Sequence, residues 1–209
     1  MTNQETPVQS RITKRKKGFT LTEIAIVLGI IGLILGAIWV AAAGVYQNQR
    51  IAHANTALLR TAQGVRSLFA TSSNVGTAGD ITNSVILAGA VPSDLVVGTG
   101  VGATAISVFA GGTLNVLTVT AADTVFTVQM TAVPQSACIA LLTTIAGNAR
   151  DPGLTSVGST TASAPVVAAT AAALPVSATA LATAVTPTIA TAACSSPTSN
   201  PVQFEFSIK

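Results

Sequence analysis

Charge is what this chain has least of. Asp, Glu, Lys and Arg make up 8% of its 209 residues, against about 25% in an average soluble domain, which argues against a freely soluble enzyme. Acid–base catalysis at neutral pH favours histidine, and there is one, His53, with no Cys, Asp or Glu at ligand spacing around it. Beyond residue 70 the acidic residues Asp80, Asp94, Asp123 and Glu205 stand apart, and Arg150–Asp151 is the one pair of adjacent opposite charges, so no catalytic constellation is spelled out. After Arg66 only Arg150 and Lys209 are basic, too few for a nucleic-acid-binding head. A phosphate-cradling Gly-rich loop ending in Lys-Ser/Thr is missing. Two cysteines without a CxxC partner give no redox centre. No metal, cofactor or catalytic residue is expected.

The charges that exist are unevenly placed. Five of the ten Lys and Arg (Arg11, Lys14, Arg15, Lys16, Lys17) fall in the first 18 residues, opposed only by Glu5. The remainder carries five basic and six acidic residues, so the leader is +4 and the rest −1, and the basic excess lies in the leader. Immediately after it the composition inverts. From Ile24 to Tyr46, 23 residues carry neither charge nor amide, and at ~1.5 Å per residue they reach roughly 35 Å, enough to cross a ~30 Å hydrocarbon core. A cleaved secretory signal has an apolar region of only ~7–15 residues; Ala41-Ala42-Ala43 at the far end keeps that alternative in view. Basic residues stay on the cytoplasmic side, so the amino terminus is expected inside and everything after Tyr46 outside. Glu23, one residue ahead of the apolar run, either lies in the headgroup region or marks function, since a carboxylate at a membrane helix needs a partner.

The string Lys16-Lys17-Gly18-Phe19-Thr20-Leu21-Thr22-Glu23, followed by the apolar run, resembles the processing site of type IV prepilins. The resemblance implies cleavage between Gly18 and Phe19 by a membrane-embedded prepilin peptidase, with methylation of the new amino-terminal Phe19. It implies that Glu23 neutralises the amino group of a neighbouring subunit during assembly, as a charge in an apolar medium requires. Thr22 departs from the family, where an aliphatic residue is commoner. The function implied is a structural pilus subunit, polymerised through its amino-terminal helix into a homopolymer for adhesion, aggregation, motility or DNA transfer. Its partners would be itself, the peptidase, the membrane before assembly, and an inner-membrane assembly platform with its ATPase. It would start as a single-pass inner-membrane protein and end in an extracellular filament. A secretion pseudopilin or minor pilin shares the motif; a non-polymerising membrane-anchored receptor is the third reading.

Residues 19–46 are expected to form the membrane half of a long helix and 47–70 its amphipathic half. Gly29, Gly32, Gly36 and Gly44 punctuate the first half, and Gly32–Gly36 is a small-xxx-small pair suited to helix packing in lipid. In the second half Ile51, Leu58 and Val65 recur every seven residues, with Ala54, Ala62 and Phe69 in the same stripe and Arg50, Arg60 and Arg66 on the polar side. Residues 71–209 read as the head. A short helix is expected from Asp80 to Ala90, stopped by Pro92, and strands at Ala105–Ala110, Thr113–Thr120, Thr124–Val133 and Val202–Ile208. Gly111-Gly112 marks a hairpin. The alternation Val125, Thr127, Gln129 against Phe126, Val128, Met130 predicts a sheet with one buried face. A second helix is expected over Pro134–Ala149. Four strands on a long helix make an α+β fold, pilin-like, with an antiparallel sheet.

The stretch Ile81–Val97 with Ala90-Val91-Pro92, the glycine pair before a strand, and Val133-Pro134 followed by Cys138 and Leu141 resemble type IVb pilins and their conjugative-pilus relatives. An 18-residue leader and a phenylalanine start are closer to the type IVa habit. Cys138 and Cys194, 56 positions apart in a region placed outside the cytoplasm, favour a disulfide closing 138–194, with two buried free thiols as the alternative. Between Asp151 and Glu205 no residue is charged, and Ala, Thr, Ser, Val and Pro dominate. That composition predicts loop or irregular β rather than helix, apart from one short turn over Val166–Leu174.

Overall fold

The computed structural model describes residues 18–76, 78–118, 124–148, 151–159 and 184–209. The leader through Lys17, the expected turn at Val166–Leu174, and Asp123 and Arg150 lie outside the described residues. Two compact units divide at Val45 and Tyr46.

In the first unit, helix α1 (Leu21–Leu68) begins. Thr20 caps it: its Oγ1 and its carbonyl oxygen both accept the Glu23 N–H, at 3.3 and 3.1 Å. Thr20-Leu21-Thr22-Glu23 thus has the Ser/Thr-x-x-Glu spacing of a helix start, with an acid in the positive first turn. Every described residue of this unit is exposed, including Phe19 at 78% and Trp39 at 81%. The helix is long and apolar enough to cross a membrane.

The second unit is an α+β head. Its main sheet is antiparallel and five-stranded, in the order β1 (Gly79–Asp80), β4 (Leu114–Thr118), β5 (Val125–Val133), β7 (Asn200–Ser207) and β6 (Leu154–Ser159). β2 (Val96–Val97) and β3 (Thr104–Ala105) pair separately. Ala54, Ala57, Leu58, Thr61, Ala62 and Val65 form the buried stripe of α1. They join a core that includes Val116, Val128, Phe204 and Val157, which stand in one cross-strand row, and Phe126 stacked on Phe206 at 5.8 Å.

Several elements differ from the sequence expectation, each for a local reason. Helix α2 spans only Thr82–Leu87; Gly89 at φ +75° ends it before Pro92 can, and Asp80 instead pairs in β1 while its Oδ1 accepts the Thr82 N–H at 2.8 Å. The strand expected at Ala105–Ala110 is mostly a turn. Ser107 N–H donates to the Gly112 carbonyl, Gly112 N–H to that of Phe109, and one isolated bridge joins Ile106 to Thr113. Helix α3 covers Gln135–Ile145, shorter than Pro134–Ala149. β6 falls where loop or irregular β was expected, and helix α4 (Pro187–Ala193) stands where no helix was. Thr186 caps α4 with Pro187 in its first turn, the favoured place for proline. β6 is held by its neighbour: Thr155 Oγ1 donates to the Glu205 carbonyl, and Ser156 Oγ bonds the Glu205 carboxylate.

The single-buried-face expectation also fails. Gln129 is fully buried and Gln203 and Asn115 nearly so. These three stand in one row across β4, β5 and β7, and Asn115 Nδ2 donates to Gln129 Oε1 at 3.3 Å. In a central strand, amides on the second face are shielded by their same-face neighbours.

Candidate functional site

The residues singled out from sequence lie in two separate places. Gly18 and Phe19 precede α1, and Glu23 sits in its first turn, all exposed. Gly29, Gly32 and Gly36 follow along the same helix. A Cβ built on any of them meets nothing within 4 Å, so they interrupt the side-chain cover without serving a contact inside the subunit. What this part of the molecule presents is an apolar helix surface, notched at the glycines, with one carboxylate at its start.

Within the head, Cys138 on α3 and Cys194 at the end of α4 form a disulfide with Cα atoms 6.0 Å apart, a normal span. Gln135 Nε2 reinforces the junction by donating to the Cys194 carbonyl at 2.9 Å. Asn200 Nδ2 donates to the Val133 and Ser196 carbonyls, tying the start of β7 to the same corner.

Arginines expected on the polar side of α1 are instead fastened to the head. Arg66 makes a bidentate pair with Asp151, at 2.8 and 3.0 Å, donates from Nε to the Ser207 carbonyl, and lies 5.3 Å from the Phe206 ring centroid. The hydrogen bonds from Arg66 are the main reason the Asp151 carboxyl titrates below its ordinary value; partial burial opposes them, and the Gly153 N–H and the Arg66 charge add to them. Asp151 therefore pairs across 85 positions, which adjacency could not have suggested. Arg50 donates to the Val108 carbonyl and lies between the Tyr46 and Phe109 rings. Arg60 alone of the three is exposed. His53 faces Asp94 at 2.8 Å on the surface, both about half exposed. That pair lacks a nucleophile or a third orienting group, and among the described residues no group of His, Cys, Asp and Glu could hold a metal ion.

Two family models match the chain. The prokaryotic N-terminal methylation motif covers residues 13–39. The PilS N-terminal domain covers residues 48–206, about three quarters of the length. The chain belongs to the PilS N-terminal family. It is a type IV pilin-like prepilin, a pilus subunit, and its α+β architecture is that of a pilin. Among curated proteins none matches the chain. Membership points to a structural subunit rather than an enzyme, and the apolar helix with the prepilin motif points to membrane anchoring before assembly. In this pilin the two family matches follow one another along the chain, with residues 40–47 between them.

Proposed function

We propose that this pilin is cut between Gly18 and Phe19 by a prepilin peptidase, methylated on Phe19, and polymerised through its amino-terminal helix into an extracellular homopolymer. The observation that carries this reading is the methylation-motif match, which spans Gly18, Phe19 and Glu23 together. Residues 1–18 are the cytoplasmic leader, 19–46 the membrane and then filament-core half of the helix, 47–70 its amphipathic half, and 71–209 the head. Glu23 neutralises the amino group of an adjacent subunit, because a carboxylate among packed apolar helices needs a partner. Gly29, Gly32 and Gly36 let those helices approach closely. The assembly platform and its ATPase supply the energy, since the chain has no nucleotide-binding loop. A type IVb or conjugative subgroup fits the head motifs, and the filament serves adhesion, aggregation, motility or DNA transfer.

Glu23→Ala separates processing from assembly. Mass spectrometry should find methylated Phe19 at the amino terminus of both forms, while sheared filaments should be lost only from the variant. Normal filaments from Glu23→Ala would remove its assembly role, and an intact leader on the native protein would remove the cleavage.

A further inference from the structure

We propose that the Asp151–Pro152 bond is a self-cleavage site, held latent because Arg66 and the Gly153 N–H keep the Asp151 carboxylate engaged. It is the one Asp-Pro bond in the chain, and it plays no part in the processing at Gly18.

The chemistry needs only groups already present. Attack by an aspartate carboxylate oxygen on the carbonyl carbon of the same residue closes a five-membered ring, and such intramolecular closure has a high effective concentration. In most sequences the amide nitrogen is a poor leaving group. Proline changes this, because its nitrogen is tertiary and more basic, so it accepts the proton with which it departs as a secondary amine. The carboxylate oxygen bonds the Asp151 carbonyl carbon, and the C–N bond to Pro152 breaks as a proton goes to nitrogen. The cyclic anhydride left on Asp151 then takes up one water to give two carboxyl groups. The sum is hydrolysis, and water is the one co-reactant. Pro152 is exposed, so water reaches the bond.

The fold supplies the electrophilic side of this reaction and withholds the nucleophile. In the turn from Asp151 to Leu154, the Leu154 N–H donates to the Asp151 carbonyl oxygen at 3.0 Å. That bond polarises the carbonyl and offers a donor to the oxyanion that attack creates. The carboxylate, however, is fully engaged. Oδ2 accepts from Arg66 Nη1 at 2.8 Å, and Oδ1 accepts from Arg66 Nη2 at 3.0 Å and from the Gly153 N–H at 2.7 Å. Either oxygen must leave a charge-assisted bond before it can attack. The clamp is itself fixed by β7: Arg66 Nε donates to the Ser207 carbonyl, and the Ser207 N–H donates to the Gly153 carbonyl at 2.7 Å. A Cβ on Gly153 would fall on the guanidinium, so this glycine lets Arg66 reach the turn. Among the described residues, Arg66 is the charged group that α1 brings to Asp151. β7 presents the Ser207 backbone, with Glu205 bonded to Ser156 instead and Lys209 exposed. Because the native carboxyl titrates below its ordinary value, it is more fully ionised at about pH 4, and so more firmly clamped, than the same residue in an unfolded chain.

A cut here would be silent in the oxidised protein. The bond lies inside the stretch closed by Cys138 and Cys194, so both pieces stay joined until the disulfide is reduced. In the test, the full chain in detergent is warmed at about pH 4, near the ordinary Asp value, then reduced with dithiothreitol. Gels and mass spectrometry look for a piece that begins at Pro152, and circular dichroism at the same pH confirms which samples are folded. Wild type in urea should be cut while folded wild type stays whole. Folded Arg66→Met should be cut roughly tenfold faster than folded wild type or more, the rate equivalent of one lost charge-assisted hydrogen bond. Gly153→Ala, which displaces the guanidinium but keeps both charges, should do the same. Arg66→Met combined with Asp151→Ala should stay whole. Folded variants no faster than wild type would overturn the latch, and a cut at Pro152 that persists without the Asp151 carboxylate would overturn the mechanism. Should both single variants unfold, wild type alone still decides: equal rates with and without urea overturn the latch, and a chain left uncut in urea overturns the self-cleavage.

Discussion

At the scale of single residues, polar groups in the head act as fasteners between segments far apart in sequence. Arg66 illustrates how magnitudes decide. Its pair with Asp151 is about three-quarters shielded, with side-chain exposures of 21% and 24%, so it is worth more than a surface pair of ~0–1 kcal/mol without being fully desolvated. Asp151→Asn should cost about 2 kcal/mol at neutral pH. Because the native carboxyl titrates below its ordinary value, the contribution is present above about pH 4 and is lost as pH falls through the lowered value. Urea melts of the detergent-solubilised chain should therefore show wild type and Asp151→Asn far apart at pH 7 and closer together at pH 3. A gap of equal size at both pH values would assign the loss to packing and not to the charge. Glu23 shows a different lesson. Its backbone N–H bonds Thr20 at the start of α1, so the motif residue also serves the helix locally.

Elements are set by where the chain must bend and where two backbones must touch. Gly64 lies inside α1, where alanine would ordinarily gain up to about 1 kcal/mol in helix propensity. A Cβ there would stand 2.5 Å from the Ala90 carbonyl oxygen and 2.8 Å from its Cα and Cβ, contacts with backbone that cannot rotate away. Steric cost wins, and Gly64→Ala should destabilise the head by about 1–3 kcal/mol, measurable as a lowered Tm by circular dichroism. Gly32→Ala, with open space around the same atom, should leave the monomer's melt unchanged or slightly raised. The α3–α4 corner depends on its cross-link. Cys138→Ser with Cys194→Ser releases a separation of 56 residues, and chain-entropy arithmetic sets the loss at up to about 4 kcal/mol. Urea melts of the double variant should match those of reduced wild type, since both lack the same bond.

For the whole molecule, one helix serves two environments. Its first part, from Leu21 to Val45, shows apolar side chains outward all round, as lipid or packed helices demand and water does not. The part within the head buries a narrow small-residue stripe. A fragment starting at Gln47 should therefore be soluble without detergent and melt cooperatively, because the core residues of α1 all lie at Ala54 or beyond. Analytical ultracentrifugation and a thermal scan check this; an aggregated or non-cooperative fragment would mean that the head depends on residues before Gln47.

The chain's own order of residues determined the long helix, the methylation motif, the α+β class and the core strands β4, β5 and β7, because these rest on local sequence patterns and on composition that changes abruptly. The sequence also located the buried α1 stripe apart from Ala57 and Thr61. Tertiary structure alone decided the rest. β6 carries only Leu154 and Val157 as large apolar residues and becomes a strand because the edge of β7 offers it hydrogen bonds. Gln129 is buried by its place in the middle of the sheet, which alternation cannot express. Arg50 and Arg66, polar by type and surface-facing by helical phase, are turned inward by a carbonyl, an aromatic ring and a carboxylate that only the fold brings near. Patterns of period two and 3.6 report what a residue's neighbours along the chain require; partners 58, 85 or 141 positions away leave no trace in them.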